Sequence, residues 1–150
     1  MEHSIVENIN ALFSGADERN WVKVKSVLSQ QVMLDYSSMT GAPASSVSPE
    51  QIVTAWSAFL PGFSRTNHQL SDFKVERKDR EAVVTYSGKA DHYLNESVWV
   101  VEGTYTTGVK LINGIWLITS LTFHFQKQSG DTTLAARAQS NMASALNSSR

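Results

Sequence analysis

Two histidines, His68 and His92, stand in alternating stretches where they share a face with apolar residues. Imidazole has an unperturbed pKa near neutrality, so a histidine on a buried face can take or give a proton to an enclosed ligand. Over residues 82–94 the even positions are Ala82, Val84, Tyr86, Gly88, Ala90, His92 and Leu94, while Thr85, Ser87, Lys89 and Asp91 face the other way. In residues 65–75, Thr66, His68 and Leu70 share a face; the apolar side then moves to Phe73 and Val75, which predicts a bulge near Ser71 and Asp72. Tyr36 points with Val32 and Leu34, and Asp35 points away. Either histidine alone reads as an ordinary core residue. His3 and His124 read as structural or surface residues. No third inward ligand stands at a convincing spacing, so no metal is expected.

Stepping along the chain, residues 4–13 place Ile5, Ile9, Leu12 and Phe13 at helical spacing, and residues 18–28 do the same with Trp21, Val24, Val27 and Leu28. Between them, Gly15 is expected to end the first helix and Asp17 to cap the second. Residues 31–37 alternate as a short strand, and residues 40–48 read as a loop rich in Gly, Ala, Pro and Ser. Ser48-Pro49-Glu50-Gln51 is a strong helix start, and the helix it opens should run to about Leu60 with Ile52, Trp56, Phe59 and Leu60 on its buried stripe. Pro61-Gly62 stops it.

From Arg65 onward the pattern is almost all strand, broken at Lys78-Asp79-Arg80, near Leu94-Asn95-Glu96, and at Asn113-Gly114. The last pair suits a type I′ turn, which needs positive φ at both positions. Four long strands in an antiparallel meander follow. Small residues at Gly88, Ala90 and Gly103 among aromatic neighbours fit a bent sheet that leaves space on its concave side. The fold class is therefore α+β, with three helices closing one end of a curved, mainly antiparallel sheet around an apolar pocket. Residues 1–128 form the domain, and residues 129–150 are a short helix or a frayed tail. Trp56, Phe59, Tyr86, Trp99, Tyr105 and Phe123 are candidate pocket walls, although their type alone makes them core residues.

The chain has 150 residues, enough for one domain with a real core. A formal net charge of −1 without long runs of either sign gives no reason to expect nucleic acid or an anionic membrane as a partner. The sequence contains no cysteine, which excludes disulfides, thiolate metal sites and cysteine nucleophiles. The charged beginning lacks the apolar centre of a signal peptide, so a cytoplasmic location is expected.

The order of short motifs is informative: Asp17 in Ala16-Asp17-Glu18-Arg19-Asn20-Trp21, then Leu34-Asp35-Tyr36, Thr66-Asn67-His68, Ala90-Asp91-His92, Gly103-Thr104-Tyr105 and Asn113-Gly114-Ile115-Trp116. Over about residues 4–127 this set resembles the SnoaL-like branch of the nuclear transport factor 2-like superfamily, and within it the scytalone dehydratases. The resemblance implies an α+β cone, a homodimer formed through the outer sheet face, and an acid/base site that needs no cofactor. It also implies that Asp17 pairs with a histidine, that His68 and His92 share the acid and base roles, and that Tyr36 polarises a substrate carbonyl. The expected function is that of a lyase or isomerase acting on a small cyclic or polyketide-like carbonyl compound, an apolar or aromatic ligand. The alternatives are a non-catalytic small-molecule binder and an assembly module. Departures at Ala16, where the dehydratases have a tyrosine, and at Gly103 and Tyr105, where they have serine and asparagine, argue against scytalone itself.

Overall fold

A computed structural model describes residues 2–148, with side chains from 4 to 144. Helix α1 (Glu2–Glu18) buries Ile5, Ile9, Leu12, Phe13 and Ala16 along one stripe, three or four residues apart. It runs straight through Gly15, contrary to the expected stop there. A side chain on Gly15 would meet Val24 Cγ2 at 3.0 Å, so this glycine serves the close approach of the next helix. The chain turns instead at Arg19, whose φ of 59° is left-handed. Helix α2 (Trp21–Ser26) is capped by Asn20, whose side chain accepts the Lys23 N–H at 3.1 Å. Asp17 is thus inside the last turn of α1 and is not a cap, which corrects the expectation.

Strand β1 (Leu28–Asp35) leads to a single helical turn, α3 (Ser37–Thr40), closed by Gly41 at φ 78°. The segment expected to be wholly loop contains strand β2 (Ser45–Val47), which pairs antiparallel with β1. Helix α4 (Pro49–Ser57) starts with the expected capping box: Ser48 accepts from the Gln51 N–H, and the Gln51 side chain accepts from the Ser48 N–H. It ends earlier than expected and gives way to a 3-10 turn at Leu60–Gly62.

The four long strands are β3 (Arg65–Lys78), β4 (Glu81–Leu94), β5 (Ser97–Ile112) and β6 (Ile115–Gly130). They form the expected antiparallel meander in a six-stranded sheet of order β2-β1-β6-β5-β4-β3, with β1 joined parallel to β6. The β3–β4 register slips between Ser71 and Lys74, with Asp72 at φ 59°, where the sequence called for a bulge. Asn113 and Gly114 have φ of 51° and 81°, as a type I′ turn needs. Helix α5 (Leu134–Ser148) follows the sheet, with Leu134 and Ala138 fully buried. It packs on the 3-10 turn so closely that a Cβ on Gly62 would lie 2.2 Å from the Ala138 carbonyl oxygen. Three helices were expected ahead of the sheet, and α3 is additional to them; α5 takes the helical one of the two alternatives expected for residues 129–150. Among the described residues, no helix is long and apolar enough to cross a membrane.

Gly88 and Gly103 face each other across β4 and β5. A Cβ on Gly88 would lie 2.5 Å from the Tyr105 ring, and one on Gly103 would lie 2.7 Å from the Phe123 ring. Much of the space these glycines leave is therefore filled by aromatic rings, which form the inner lining of the cone.

Candidate active site

Between the helices and the concave face lies a cavity of about 230 Å³. Its walls are mostly aromatic, with Phe13 from α1, Trp56 and Phe59 from the α4 segment, Trp99 and Tyr105 from β5, and Phe123 from β6. Met39 and Thr40, both exposed, belong to the same lining and mark its open side. Tyr36, His68 and His92 supply polar groups. Tyr86 is absent from the lining: its hydroxyl pairs with Thr107 Oγ1 at 2.7 Å and its ring stacks between Phe73 and Tyr105. It is a core residue behind the wall, which corrects the sequence-based placement.

Asp17 reaches β3 from the last turn of α1. Its Oδ1 lies 2.6 Å from His68 Nδ1, and its Oδ2 accepts the His68 backbone N–H at 2.7 Å. Thr66, two residues earlier on the same strand face, donates its hydroxyl to Oδ1 at 2.9 Å. Burial works against the charge on Asp17, but the bonds from His68 and Thr66 outweigh it and hold the carboxyl below its ordinary range. An ionised carboxylate only accepts, so the proton of a neutral His68 sits on Nδ1 and the Nε2 lone pair is left for the cavity. The two side chains keep 13% and 16% of their surface exposed.

His92 stands in β4 beneath different neighbours. Its Nδ1 lies 3.1 Å from the Trp99 carbonyl oxygen, its ring is 4.4 Å from the Trp99 ring and 5.0 Å from that of Phe63, and it is 6% exposed. Burial lowers its pKa to about 4, with the carbonyl bond acting in the opposite sense. His92 is therefore neutral at physiological pH, with its proton on Nδ1 and an accepting Nε2. The two imidazole centres are 6.3 Å apart. Burial also pushes the Tyr36 hydroxyl up to about 12 and that of Tyr105 well above its ordinary value. Both hydroxyls therefore stay protonated and are able to donate.

The model of the SnoaL-like domain matches residues 2–122. The chain belongs to the SnoaL-like family. No curated protein sequence matches it. Among solved structures, this SnoaL-like protein is similar to the Kfla4162 protein of Kribbella flavida, at 21% identity over 92% of this chain and 96% of that one, with a TM-score of 0.83. It also resembles a candidate scytalone dehydratase from Novosphingobium aromaticivorans, at 14% identity, 87% coverage of each chain and a TM-score of 0.71. A third is the LinA-type3 hexachlorocyclohexane dehydrochlorinase of Novosphingobium barchaimii, at 13% identity, 87% and 90% coverage and a TM-score of 0.73. These likenesses bear out the cone-shaped α+β fold.

In this SnoaL-like chain, sequence reasoning named Asp17, His68, His92 and Tyr36, and the fold brings all four to one cavity or its immediate wall. Trp56, Phe59, Trp99, Tyr105 and Phe123 line it as well. Thr66 and Arg19 were missed. Thr66 has the same strand parity as His68, a signal that could have placed it beside the same partner. His124 pairs with Thr106 on the exposed face of β6, and the side chain of His3 lies outside the described residues. Among the described residues, no group of three or more histidines or carboxylates is placed to hold a metal ion.

Proposed function

We propose that this protein is a cofactor-independent lyase or isomerase acting on a small cyclic or polyketide-like carbonyl compound. The observation that carries this reading is the 2.6 Å pairing of Asp17 with His68, made beside an apolar cavity that His92 and Tyr36 also line. His68 is the base. Its Nε2 takes the proton next to the substrate carbonyl, and the carboxylate of Asp17 stabilises the imidazolium that forms. Tyr36 donates its hydroxyl to the carbonyl oxygen, where enolate charge gathers.

In a dehydration, the C–H bond electrons become the new C=C bond, the C–O bond breaks with its electrons going to oxygen, and the imidazolium proton completes the departing water. In an isomerisation the same proton returns to another carbon. In this reading His92 is not the acid: a neutral ring that donates Nδ1–H to the Trp99 carbonyl has no second proton to give. Its Nε2 accepts a hydrogen bond from a substrate hydroxyl and orients it. The relatives described as a dehydratase candidate and a dehydrochlorinase support an eliminating reaction on this fold.

The direct test follows α-deuterium exchange and water loss by proton NMR, using a panel of small cyclic ketones and β-hydroxyketones in D₂O. Exchange that exceeds the buffer rate and disappears in His68→Ala is expected. Binding of panel members without exchange or elimination by the wild type would overturn the enzyme and leave a small-molecule binder. The same family reading carries a homodimer through the outer sheet face, where Val83 of β4 is 47% exposed; a monomer in sedimentation velocity would refute it.

A further inference from the structure

The Asp17–His68 pair does not stand by itself. Arg19 is the first residue beyond α1 and takes a left-handed conformation, a place where glycine is common because it has no Cβ to crowd. Three of the five N–H donors of its guanidinium are engaged. Nη1 donates to the Ala16 carbonyl at 2.8 Å and to Thr66 Oγ1 at 2.9 Å, while Nη2 donates to the Leu60 carbonyl at 2.8 Å. One guanidinium thus joins the end of α1, the start of β3 and the cavity wall at Leu60.

The direction of these bonds follows from donor and acceptor capacity. A guanidinium has donors only, so Thr66 Oγ1 must accept from Arg19. The single hydroxyl proton of Thr66 is then sent to its other neighbour, Asp17 Oδ1. Thr66 is 6% exposed, which denies its hydroxyl an easy exchange of partners with water. With Oδ1 taking the Thr66 proton and Oδ2 the His68 backbone N–H, the carboxylate is held from both ends and presents Oδ1 to His68 Nδ1.

We propose that Arg19 and Thr66 are positioning residues: Arg19 orients the Thr66 hydroxyl, which locks the Asp17 carboxylate and so fixes the His68 proton on Nδ1. The inference rests on the reading of Asp17 and His68 as the proton-transfer pair, but its readout needs no substrate. A tautomer locked in advance leaves Nε2 bare toward the cavity before any ligand arrives.

The test is the nitrogen-15 spectrum of the His68 ring in histidine-labelled protein, taken at a pH where the ring is neutral. Wild type is expected to hold the proton on Nδ1. In Thr66→Val and in Arg19→Gln, the ratio of the Nδ1–H to the Nε2–H form should fall about tenfold, the weight of one charge-assisted hydrogen bond. Thr66→Ser should restore it. Lysine cannot span the three acceptors with a fork, so Arg19→Lys should fall with Arg19→Gln and serves in its place if that variant does not fold. A wild-type tautomer in the folded Thr66→Val and Arg19 variants would overturn the proposal, even with a lower melting temperature, because it would make both residues fold anchors only. Absence of turnover in the wild type would instead count against the enzyme reading and leave the tautomer result intact.

Discussion

The two histidines of the cavity are the same residue on adjacent strands, yet their surroundings make them opposite instruments. His68 lies at the seam between α1 and β3, where a carboxylate braced by two further donors faces its Nδ1. His92 lies inside the β4–β5 hairpin, where its Nδ1 meets only the neutral carbonyl of Trp99 and aromatic rings close around it. At His92 burial dominates and suppresses the imidazolium, and the bond to the Trp99 carbonyl, which favours it, is too weak to compensate. The first site can accept a proton during a reaction, and the second is held as a neutral acceptor. Residue type confers the capacity for proton transfer, but the partner at the far nitrogen decides its use.

The largest effect expected from this contrast is at Asp17. Asp17→Asn should lower exchange or elimination by about 10³ to 10⁴-fold, because the amide can leave the wrong tautomer and cannot stabilise an imidazolium. A loss under about tenfold, measured with any compound the wild type turns over, would erase the distinction between the two histidines.

The next effect is on stability and belongs to His92. Its folded pKa of about 4 lies below the ordinary 6.5, so above pH 6.5 neither state is protonated and the full stability is present. As pH falls from 6.5 toward 4, the unfolded chain gains a proton that the folded chain refuses, and stability drops by on the order of 3 kcal/mol. The lowered Asp17 carboxyl loses its contribution mainly below this window and overlaps only its acid edge. Urea unfolding of wild type and His92→Gln at several pH values isolates the difference. A wild-type slope retained in His92→Gln would show that another group carries it.

Tyr36→Phe removes a donor but leaves both histidines in place, so turnover should fall by about 10 to 100-fold with the Asp17 dependence unchanged. Equal rates would remove Tyr36 from the carbonyl. The smallest effect lies far from both histidines: Ser48→Ala opens the capping box of α4 at a cost of about 1 kcal/mol in chemical denaturation, with no change in the His92 pH slope. A changed slope there would mean that the His92 site is not independent of α4.

Much of the fold was legible because it is written in local patterns. Ser48 and Gln51 identified a helix start, Asn113-Gly114 a tight hairpin, and the shift from Leu70 to Phe73 a bulge, all from short-range sterics and side-chain alternation. Boundaries were less legible. Gly15 has the look of a stop, but its lack of a side chain serves contact with Val24 across the helix pair, and tertiary packing overrode its weak preference against helix. Tyr86 shares the inward parity of His92, and parity cannot say that Tyr105 stands between it and the cavity.

The sequence by itself determined which faces His68 and His92 occupy, because strand alternation has a period of two that no later packing reverses without slipping the register. Tyr36, expected on a strand over residues 31–37, lies past the end of β1 at the cap of α3, so its place at the cavity was decided by packing. It also determined the α+β class through the order of helical and alternating segments. Only the tertiary structure decided that Asp17 meets β3 instead of capping α2, that Arg19 and Thr66 brace it, and that the histidines receive different partners. Those are contacts between segments about 50 residues apart, and their formation depends on how helix and sheet dock, a relation no local pattern encodes.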